Sequence, residues 1–152
     1  MKVTTISPKD ALQLLERYTL ELGKKEIVQR REEEKRVVVL INRVTAFFLI
    51  DEVAFPTLRF LMTHPTLLKK ITVDMGAVKF IINGADVMRP GIHHIEEGIV
   101  AGSPIAIVDQ THGKFLAVGI TLLGSEEMRN ASSGKVIKNL HYVGDELWKE
   151  EA

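Results

Sequence analysis

The sequence predicts an α+β protein built from two small domains, and three observations support this prediction. Ten of the eleven glycines follow residue 70. Residues 1–70 contain 13 Lys and Arg against 9 Asp and Glu, whereas residues 71–152 contain 7 against 11. The second part also has short strand patterns about ten residues apart with glycine turns between them, which is typical of a small β-barrel. We therefore expect an α/β domain over residues 1–70 and a barrel over residues 71–152.

The composition limits the class of protein. The chain has 152 residues, of which 45% are hydrophobic, so it can form a buried core and is not expected to be disordered. It has no cysteine, which excludes disulfides and thiolate zinc sites and fits a reducing compartment. The first residues lack the apolar stretch of a signal peptide, and the apolar runs are too short to cross a bilayer. We expect a soluble, cytoplasmic protein.

The first domain begins with the signal for a helix. Ser7 can cap it, Pro8 suits its first turn and Asp10 favours the positive end of the helix dipole. Apolar residues then recur at helical spacing, and Gly23 can end the helix. These apolar residues are Ala11, Leu14, Leu15, Tyr18 and Leu22.

A hairpin is predicted after a charged segment. The run RREEEKR, residues 30–36, is interpreted as a solvated loop or as the entry to a strand. The β-rich runs 37–41 and 44–50 flank the pair Asn42-Arg43, and this arrangement predicts two strands joined by a tight turn.

Two short helices are predicted on either side of the domain boundary. Pro56 can open the first, and His64 would end it because a residue that precedes proline avoids helical angles. Asp74 can cap the second, over residues 75–82, and Gly84 can end it in the left-handed conformation.

The rest of the second domain is predicted to be mostly strand. Ser125 is expected to cap a single helical turn over residues 125–130, and residues 145–150 are expected to form a short helix. The sequence QTHG predicts a hairpin turn between two of the strands. The predicted strands cover residues 71–74, 87–95 with a break at Pro90-Gly91, 104–109, 114–123 and 135–143.

The sequence gives little support for catalysis, a cofactor or a metal site. His93 and His94 are adjacent, so on a strand they would point to opposite faces and could not bind one metal together. The chain has no nucleophile elbow, no phosphate-binding loop of the Walker type and no dinucleotide fingerprint after a strand. Asp74 could act as an acid, but its place at a helix start favours capping. We therefore predict a protein that is not an enzyme.

The segment NGADVMRPGI, residues 83–92, is the strongest candidate for a binding site. Its glycines allow another backbone to approach, and free N–H groups in such turns can bind phosphate. Arg89 adds a cation, while Val87 and Met88 offer apolar surface to a base, a combination that suits single-stranded nucleic acid. The alternative is an ordinary turn with Met88 in the core, and the residues alone leave both interpretations open.

The second half of the chain resembles a known RNA-binding domain. The segment VDMGAVKFIINGADVMRPGI, residues 73–92, is similar to the signature of the PUA domain, a barrel named for pseudouridine synthases and archaeosine transglycosylases. Residues 117–128 and 138–148 continue the similarity in order. The resemblance implies a PUA β-pseudobarrel whose loop after the first helix and whose last strand flank the RNA. The RNA-binding residues that it implies are Lys79, Gly84, Ala85, Asp86, Val87, Met88, Arg89, Pro90, Gly91, Lys138, His141 and Tyr142.

The first half resembles a narrower family. The segment AFPTLRFLMTHPTLL, residues 54–68, is similar to the pre-PUA region of the malignant-T-cell-amplified translation factors, which with the ligatin-type factors act on small ribosomal subunits. The resemblance implies an archaeal-type relative with a pre-PUA domain over residues 1–70. Its implied partners are a tRNA 3′ end or ribosomal RNA, and further the small ribosomal subunit or an initiation-factor-like protein, with no membrane. Eukaryotic members can carry cysteines in this region. This chain has none, so the resemblance implies no zinc site here.

Three functions remain open at this point. The leading one is non-catalytic RNA binding in translation, with a second basic surface on the first domain. The alternatives are an accessory subunit of an RNA-modifying enzyme and a protein-interaction module without RNA affinity, which the acidic balance of the barrel favours. The residues predicted for the second basic surface, which solubility alone could equally explain, are Lys24, Lys25, Arg30 and Arg31.

Overall fold

The computed structural model describes residues 1–23 and 25–150. The chain divides into two compact units, residues 1–63 and residues 64–152. Residues 64–70 thus belong to the second unit, and the division into functional domains between residues 70 and 71 stays a prediction. Within the described residues, no helix combines the length and the apolar character needed to span a membrane.

Outside residue 24, the first unit contains one antiparallel sheet and two short helices. The five strands lie in the sheet in the same order as in the chain. The ring of Phe47 packs between the rings of Tyr18 and Phe60, with centroid distances of 5.2 Å to each. The elements are β1 (Lys2–Ile6), α1 (Pro8–Leu14), β2 (Val28–Glu32), β3 (Val37–Ile41), β4 (Val44–Ile50), β5 (Val53–Pro56) and α2 (Leu58–Thr63).

The predicted hairpin is confirmed, and a second one follows it. Asn42 and Arg43, between β3 and β4, have φ values of 51° and 70°, which is the left-handed pair of a type I′ turn. Asp51 and Glu52 adopt the same conformation between β4 and β5. Both carboxylate oxygens of Glu52 accept hydrogen bonds of 2.7 Å from Arg30, so this ion pair ties the second turn to β2.

Two predictions for this unit were wrong, and one strand was missed. Helix α1 starts at the Ser7 cap as expected but ends at Leu14 and does not reach Gly23, because Tyr18 turns into the core and donates its hydroxyl to the carbonyl of Ala54. Pro56 ends β5 and does not open a helix. Strand β1 was not predicted at all, because as an exposed edge strand it carries no alternating apolar pattern.

The second unit is a barrel-like sheet with three helices. Its six strands run in the order β7-β11-β10-β9-β6-β8, with β6 and β9 parallel and the other pairs antiparallel. The elements are β6 (Lys70–Val73), α3 (Met75–Ile81), β7 (Val87–Met88), a 3₁₀ turn (Arg89–Gly91), β8 (Ile92–Ile95), β9 (Pro104–Asp109), β10 (Phe115–Thr121), α4 (Ser125–Asn130), β11 (Lys135–Tyr142) and α5 (Glu146–Glu150).

The two outer strands of this sheet, β7 and β8, are consecutive in the chain. They do not pair with each other, and the 3₁₀ turn Arg89–Gly91 carries the chain from one to the other. Helix α4 lies at this seam. Arg89 Nε donates to the carbonyl of Met128 at 2.6 Å, and Arg129 Nη2 donates to the carbonyl of Ile95 on β8 at 3.2 Å. The fully buried Met128 side chain belongs to the core of the unit.

Two capping predictions had different outcomes. Asp74 caps α3 as predicted, because its carboxylate accepts a hydrogen bond of 3.0 Å from the Ala77 amide. Ser125 does not cap α4. It is the first residue of the helix, and its buried hydroxyl instead accepts from the Ile99 amide at 2.8 Å and donates to the Glu96 carbonyl at 2.7 Å, which fixes the loop after β8.

Candidate nucleic-acid interface

A groove of about 470 Å³ lies between α3 and the segment that runs from its end through β7 to the 3₁₀ turn. Most of its lining is apolar, and it has the size of an ordinary small-ligand site. The candidate segment at residues 83–92 therefore forms one wall of a concave surface. The lining residues are Asp74, Gly76, Ala77, Phe80, Ile81, Ala85, Asp86, Val87, Met88, Pro90 and Gly91.

Helix α3 supplies one wall because of the spacing of its residues. Gly76, Ala77 and Phe80 lie within one helical turn of each other, so small residues leave room beside an aromatic ring. Phe80 is 58% exposed. The Lys79 ammonium lies 5.1 Å from the centre of that ring. An exposed ring with a cation beside it is a surface on which a base can stack.

Strand β7 supplies the opposite wall. It pairs with β11 on one side only, where Val87 lies opposite Ile137 and Met88 lies opposite Lys135. Val87 is buried and contributes to the core, whereas Met88 is 50% exposed, so the alternative placement of Met88 in the core is wrong. A strand with one unpaired side presents backbone donors and acceptors, which can bind the polar edge of a base.

Two glycines shape the ends of this segment. Gly84 has a φ of +94°, as expected for the left-handed end of α3, and a Cβ atom there would lie 3.1–3.3 Å from the Tyr142 ring. Gly91 closes the turn against α3, where a Cβ atom would lie 3.3 Å from Cβ of Ala77. Side chains at either place would press on the packing that forms the groove.

Asn139 on β11 holds the loop between α3 and β7. Its side-chain amide donates to the carbonyls of Ile81 and Ala85 at 3.1 and 3.0 Å. Its backbone amide donates to the Asp86 carboxylate at 2.8 Å. The other oxygen of that carboxylate lies 3.4 Å from the Lys135 ammonium. The loop is therefore attached to the last strand by three hydrogen bonds and an ion pair.

The predicted cations fall into two groups. Lys79 is exposed on α3. Lys138 is exposed on β11, between Ile137, which pairs with Val87, and Asn139, which binds Asp86. Arg89 is half-buried and uses its Nε to bind the carbonyl of Met128. Its predicted contact with RNA stays a prediction, but the structure gives this side chain a partner inside the protein.

His141 is placed in the interior and not on the groove. It is 1% exposed, and its Nδ1 lies 2.8 Å from the carboxylate of Asp145. Asp145 also accepts hydrogen bonds from the amides of Tyr142 and Trp148, at 2.9 and 2.8 Å, and so caps α5. Burial raises the pKa of Asp145, but the hydrogen bond and charge of His141 and these two amides outweigh burial and lower it. His141 thus anchors the end of the chain.

Two of the four residues of the second predicted basic surface are paired with carboxylates in the structure. Arg30 is paired with Glu52, and Arg31 Nε lies 3.0 Å from Glu33. Lys25 is exposed, and Lys24 lies outside the described residues. An RNA or protein contact through these four residues stays a prediction.

The structure does not assemble a metal site from the histidines. His93 and His94 are both exposed, beside a register shift in the pairing of β6 with β8. Among residues 1–23 and 25–150, no group of three or more His, Asp and Glu side chains could hold a metal ion.

Sequence reasoning missed several groove residues. Gly76, Ala77 and Phe80 were read only as part of a helix, although small residues followed by an aromatic at helical spacing could have indicated one lining face. Asn139 lies between the predicted residues Lys138 and His141 but was not singled out. No local sequence signal shows that its amide reaches residues more than fifty positions earlier.

The chain is similar to a known domain family and to several known proteins. A family model described as PUA domain matches residues 69–143. An uncharacterised protein of Methanocaldococcus jannaschii is 43% identical over 73% of this chain and 68% of its own length. The malignant T-cell-amplified sequence 1 homolog of Dictyostelium discoideum is 32% identical over 80% of this chain and 70% of its own. Translation machinery-associated protein 20 of Schizosaccharomyces pombe is 28% identical over 83% and 72%.

A solved structure shows similarity over nearly the whole chain. The crystal structure of a hypothetical protein from Pyrococcus horikoshii matches with a TM-score of 0.86 at 30% identity, and the match covers 99% of this chain and all of the other.

Proposed function

The chain belongs to the PUA-domain family that includes malignant T-cell-amplified sequence 1 and translation machinery-associated protein 20, and from this premise we propose that it is a non-catalytic RNA-binding protein of translation. An RNA-binding fold and relatives named for the translation machinery support an RNA-binding role in translation. The finer proposal is that the α3–β7 groove receives the unpaired 3′ end of a tRNA or an unpaired segment of ribosomal RNA.

The observation that carries this proposal is the form of the groove. An apolar cavity of about 470 Å³ lies beside the exposed ring of Phe80, and its far wall is a strand with an unpaired side. Proteins recognise RNA sequence mainly on unpaired bases, which stack on aromatic rings and form hydrogen bonds through their edges. A paired base cannot enter such a cavity, so the groove favours a single-stranded target.

The distribution of charge fits a local contact. Residues 64–152 contain 9 Lys and Arg against 11 Asp and Glu, so the unit as a whole is slightly acidic. Its acidic residues include Glu97, Glu126 and Glu127, which line a separate cavity of about 700 Å³ beside α4. Lys79 and Lys138 are exposed on α3 and β11, the elements that hold the groove. We propose that a few lysines contact phosphates near the groove.

Translation relatives also suggest where and with what the protein acts. We propose that it works in the cytoplasm, on a tRNA or on ribosomal RNA of the small subunit, and that an initiation-factor-like protein is a further partner. Relatives named for the translation machinery support this proposal.

The test is fluorescence anisotropy with deacylated tRNA, either intact or trimmed of its single-stranded 3′ end, at two salt concentrations. The proposal expects tighter binding of the intact tRNA at both. Equal affinity for the two would show that the 3′ end is not the ligand. Absence of binding to either would favour a protein partner. Incubation with bulk tRNA followed by nucleoside analysis tests the non-catalytic assignment, which any protein-dependent modification would overturn.

A further inference from the structure

We propose that Asn139 is the positioning residue of the groove, and this inference rests on the proposed RNA-binding function. Asn139 lines no part of the cavity itself. It holds in place the wall that does, because its three hydrogen bonds end on Ile81, Ala85 and Asp86, which all line the groove. Without these bonds the loop would be joined to β11 through the short strand β7 and the ion pair between Asp86 and Lys135.

A bulge in the barrel sheet brings Asn139 to this place. The pairing of β10 with β11 passes from Val118–His141 to Gly119–Asn139, so one extra residue of β11 is accommodated there. Gly119 is required at that point, since a Cβ atom would lie 2.5 Å from the carbonyl oxygen of Lys138 and 2.8 Å from the Ile137 side chain. The bulge and the glycine together allow β11 to approach closely and present Asn139 to the loop.

The chemistry of the contacts requires an amide. The side-chain nitrogen of Asn139 faces two carbonyl oxygens, so a donor with two hydrogens satisfies both. A carboxylate of the same size has no hydrogen to donate and would place its charge against two acceptors. Asn139→Asp therefore changes the chemistry of the contact and hardly its volume, whereas Asn139→Ala removes the donors without adding charge.

We expect both variants to bind intact tRNA about tenfold more weakly, the loss that two ordinary hydrogen bonds correspond to. The preference of both variants for intact over trimmed tRNA should fall together with their affinity. The slope of log affinity against log salt should stay unchanged, because no phosphate contact is removed. Lys138→Ala is the contrasting variant, in which the slope should become shallower while the preference for the intact end is kept. Asn130→Asp, an identical chemical change at an exposed position of α4, should alter neither.

Hydrogen exchange provides a readout that does not depend on RNA. In the wild-type protein the amides of Gly84, Ala85 and Asn139 are hydrogen-bonded, to Ile81, Phe80 and Asp86, and should exchange slowly. They should exchange faster in Asn139→Ala while the amides of β9 and β10 stay protected. If wild-type protein shows no preference for the intact tRNA, the proposed function fails, but exchange still tests the positioning role.

Three results would overturn the inference. The first is unchanged end preference in a folded Asn139→Ala protein. The second is loss in Asn139→Asp alone, which would mean that added charge is the cause. The third is fast exchange of the Gly84 and Ala85 amides in the wild-type protein, and this is the deciding result if neither variant folds.

Discussion

Arg89 shows how one side chain can fit two explanations until its partner is known. Its place in the candidate segment predicted an RNA contact, yet its Nε binds the carbonyl of Met128 across the seam of the barrel. A hydrogen bond from a charged donor of this kind contributes about 1.5–3 kcal/mol.

We therefore expect Arg89→Ala to lower the free energy of unfolding by about 1–2 kcal/mol, because the carbonyl of Met128 loses its charged donor and keeps only the Ala131 amide, at 3.3 Å. Urea denaturation measures this change, and Lys138→Ala, at an exposed position, is the control that should leave stability unaltered. Unchanged stability together with weaker RNA binding would restore Arg89 to the RNA surface.

Gly84 gives a second prediction at this scale. A β-branched residue there would meet both the φ of +94° and the Tyr142 ring, so Gly84→Val should destabilise the protein by about 2–3 kcal/mol and weaken RNA binding more than Arg89→Ala does. Gly134 also has a positive φ but has open space around its Cβ position, so Gly134→Val is the matched control with strain alone. Equal losses in the two variants would show that the tyrosine contact adds nothing.

The candidate site was predictable where a residue's conformation or exposure follows from its neighbours in sequence. Gly84 belongs to this class, because the Asn-Gly turn signal predicts its left-handed conformation. The exposure of Met88 does not, since the residues alone are equally compatible with a place in the core. His141 does not, since an alternating strand pattern cannot tell which face is covered, and it is buried against Asp145. Asn139 depends on a bulge in β11, and a bulge leaves no signal in local periodicity.

At the scale of elements, prediction succeeded where local chemistry defines both ends. The β3–β4 hairpin and the capped start of α3 are such cases. It failed for α1, whose apolar spacing continues past Leu14 although the chain turns so that Tyr18 can enter the core. Tertiary packing overrides periodicity there. The exposed strand β1 failed for the opposite reason, since no buried face imposed a pattern on it.

The link between β11 and α5 predicts a dependence on pH. The pKa of Asp145 in the folded protein lies below its ordinary value, so its contribution to stability is present above the ordinary Asp pKa of about 3.9 and is lost as the pH falls below it. In Asp145→Asn this contribution is missing at pH 7. Chemical denaturation at pH 7 and at pH 3 should therefore show a large difference between wild type and variant at pH 7 and a smaller one at pH 3. A constant difference would show that the carboxylate's charge is irrelevant.

At the scale of the whole molecule, 20 Lys and Arg are balanced by 20 Asp and Glu, so we expect contact with nucleic acid to be local. Three lysines, at positions 79, 135 and 138, are exposed on the elements around the groove, and Lys135 would exchange its ion pair with Asp86 for a phosphate. Each phosphate contact with single-stranded nucleic acid contributes about −0.7 to the slope of log affinity against log salt, so we expect a slope of about −2.

Anisotropy titrations between about 50 and 200 mM salt measure this slope. Lys138→Ala should make it shallower by about 0.7, whereas Lys149→Ala, on α5, should leave it unchanged. A wild-type slope steeper than about −5 would require many more phosphate contacts than these lysines provide.

The three-residue turn between β7 and β8 affects how the sequence of the groove can change during evolution. The residues that carry the chain across the seam of the barrel, Arg89–Gly91, also include part of the groove wall, so selection for a folded barrel preserves the groove whether or not RNA is bound there. A duplicated copy of this chain could lose its affinity through changes at exposed positions such as Lys79, Phe80 and Lys138 and still keep the whole glycine-containing segment. In such lineages the sequence of the turn would indicate common descent, whereas the residues at the exposed positions would indicate whether RNA is still bound.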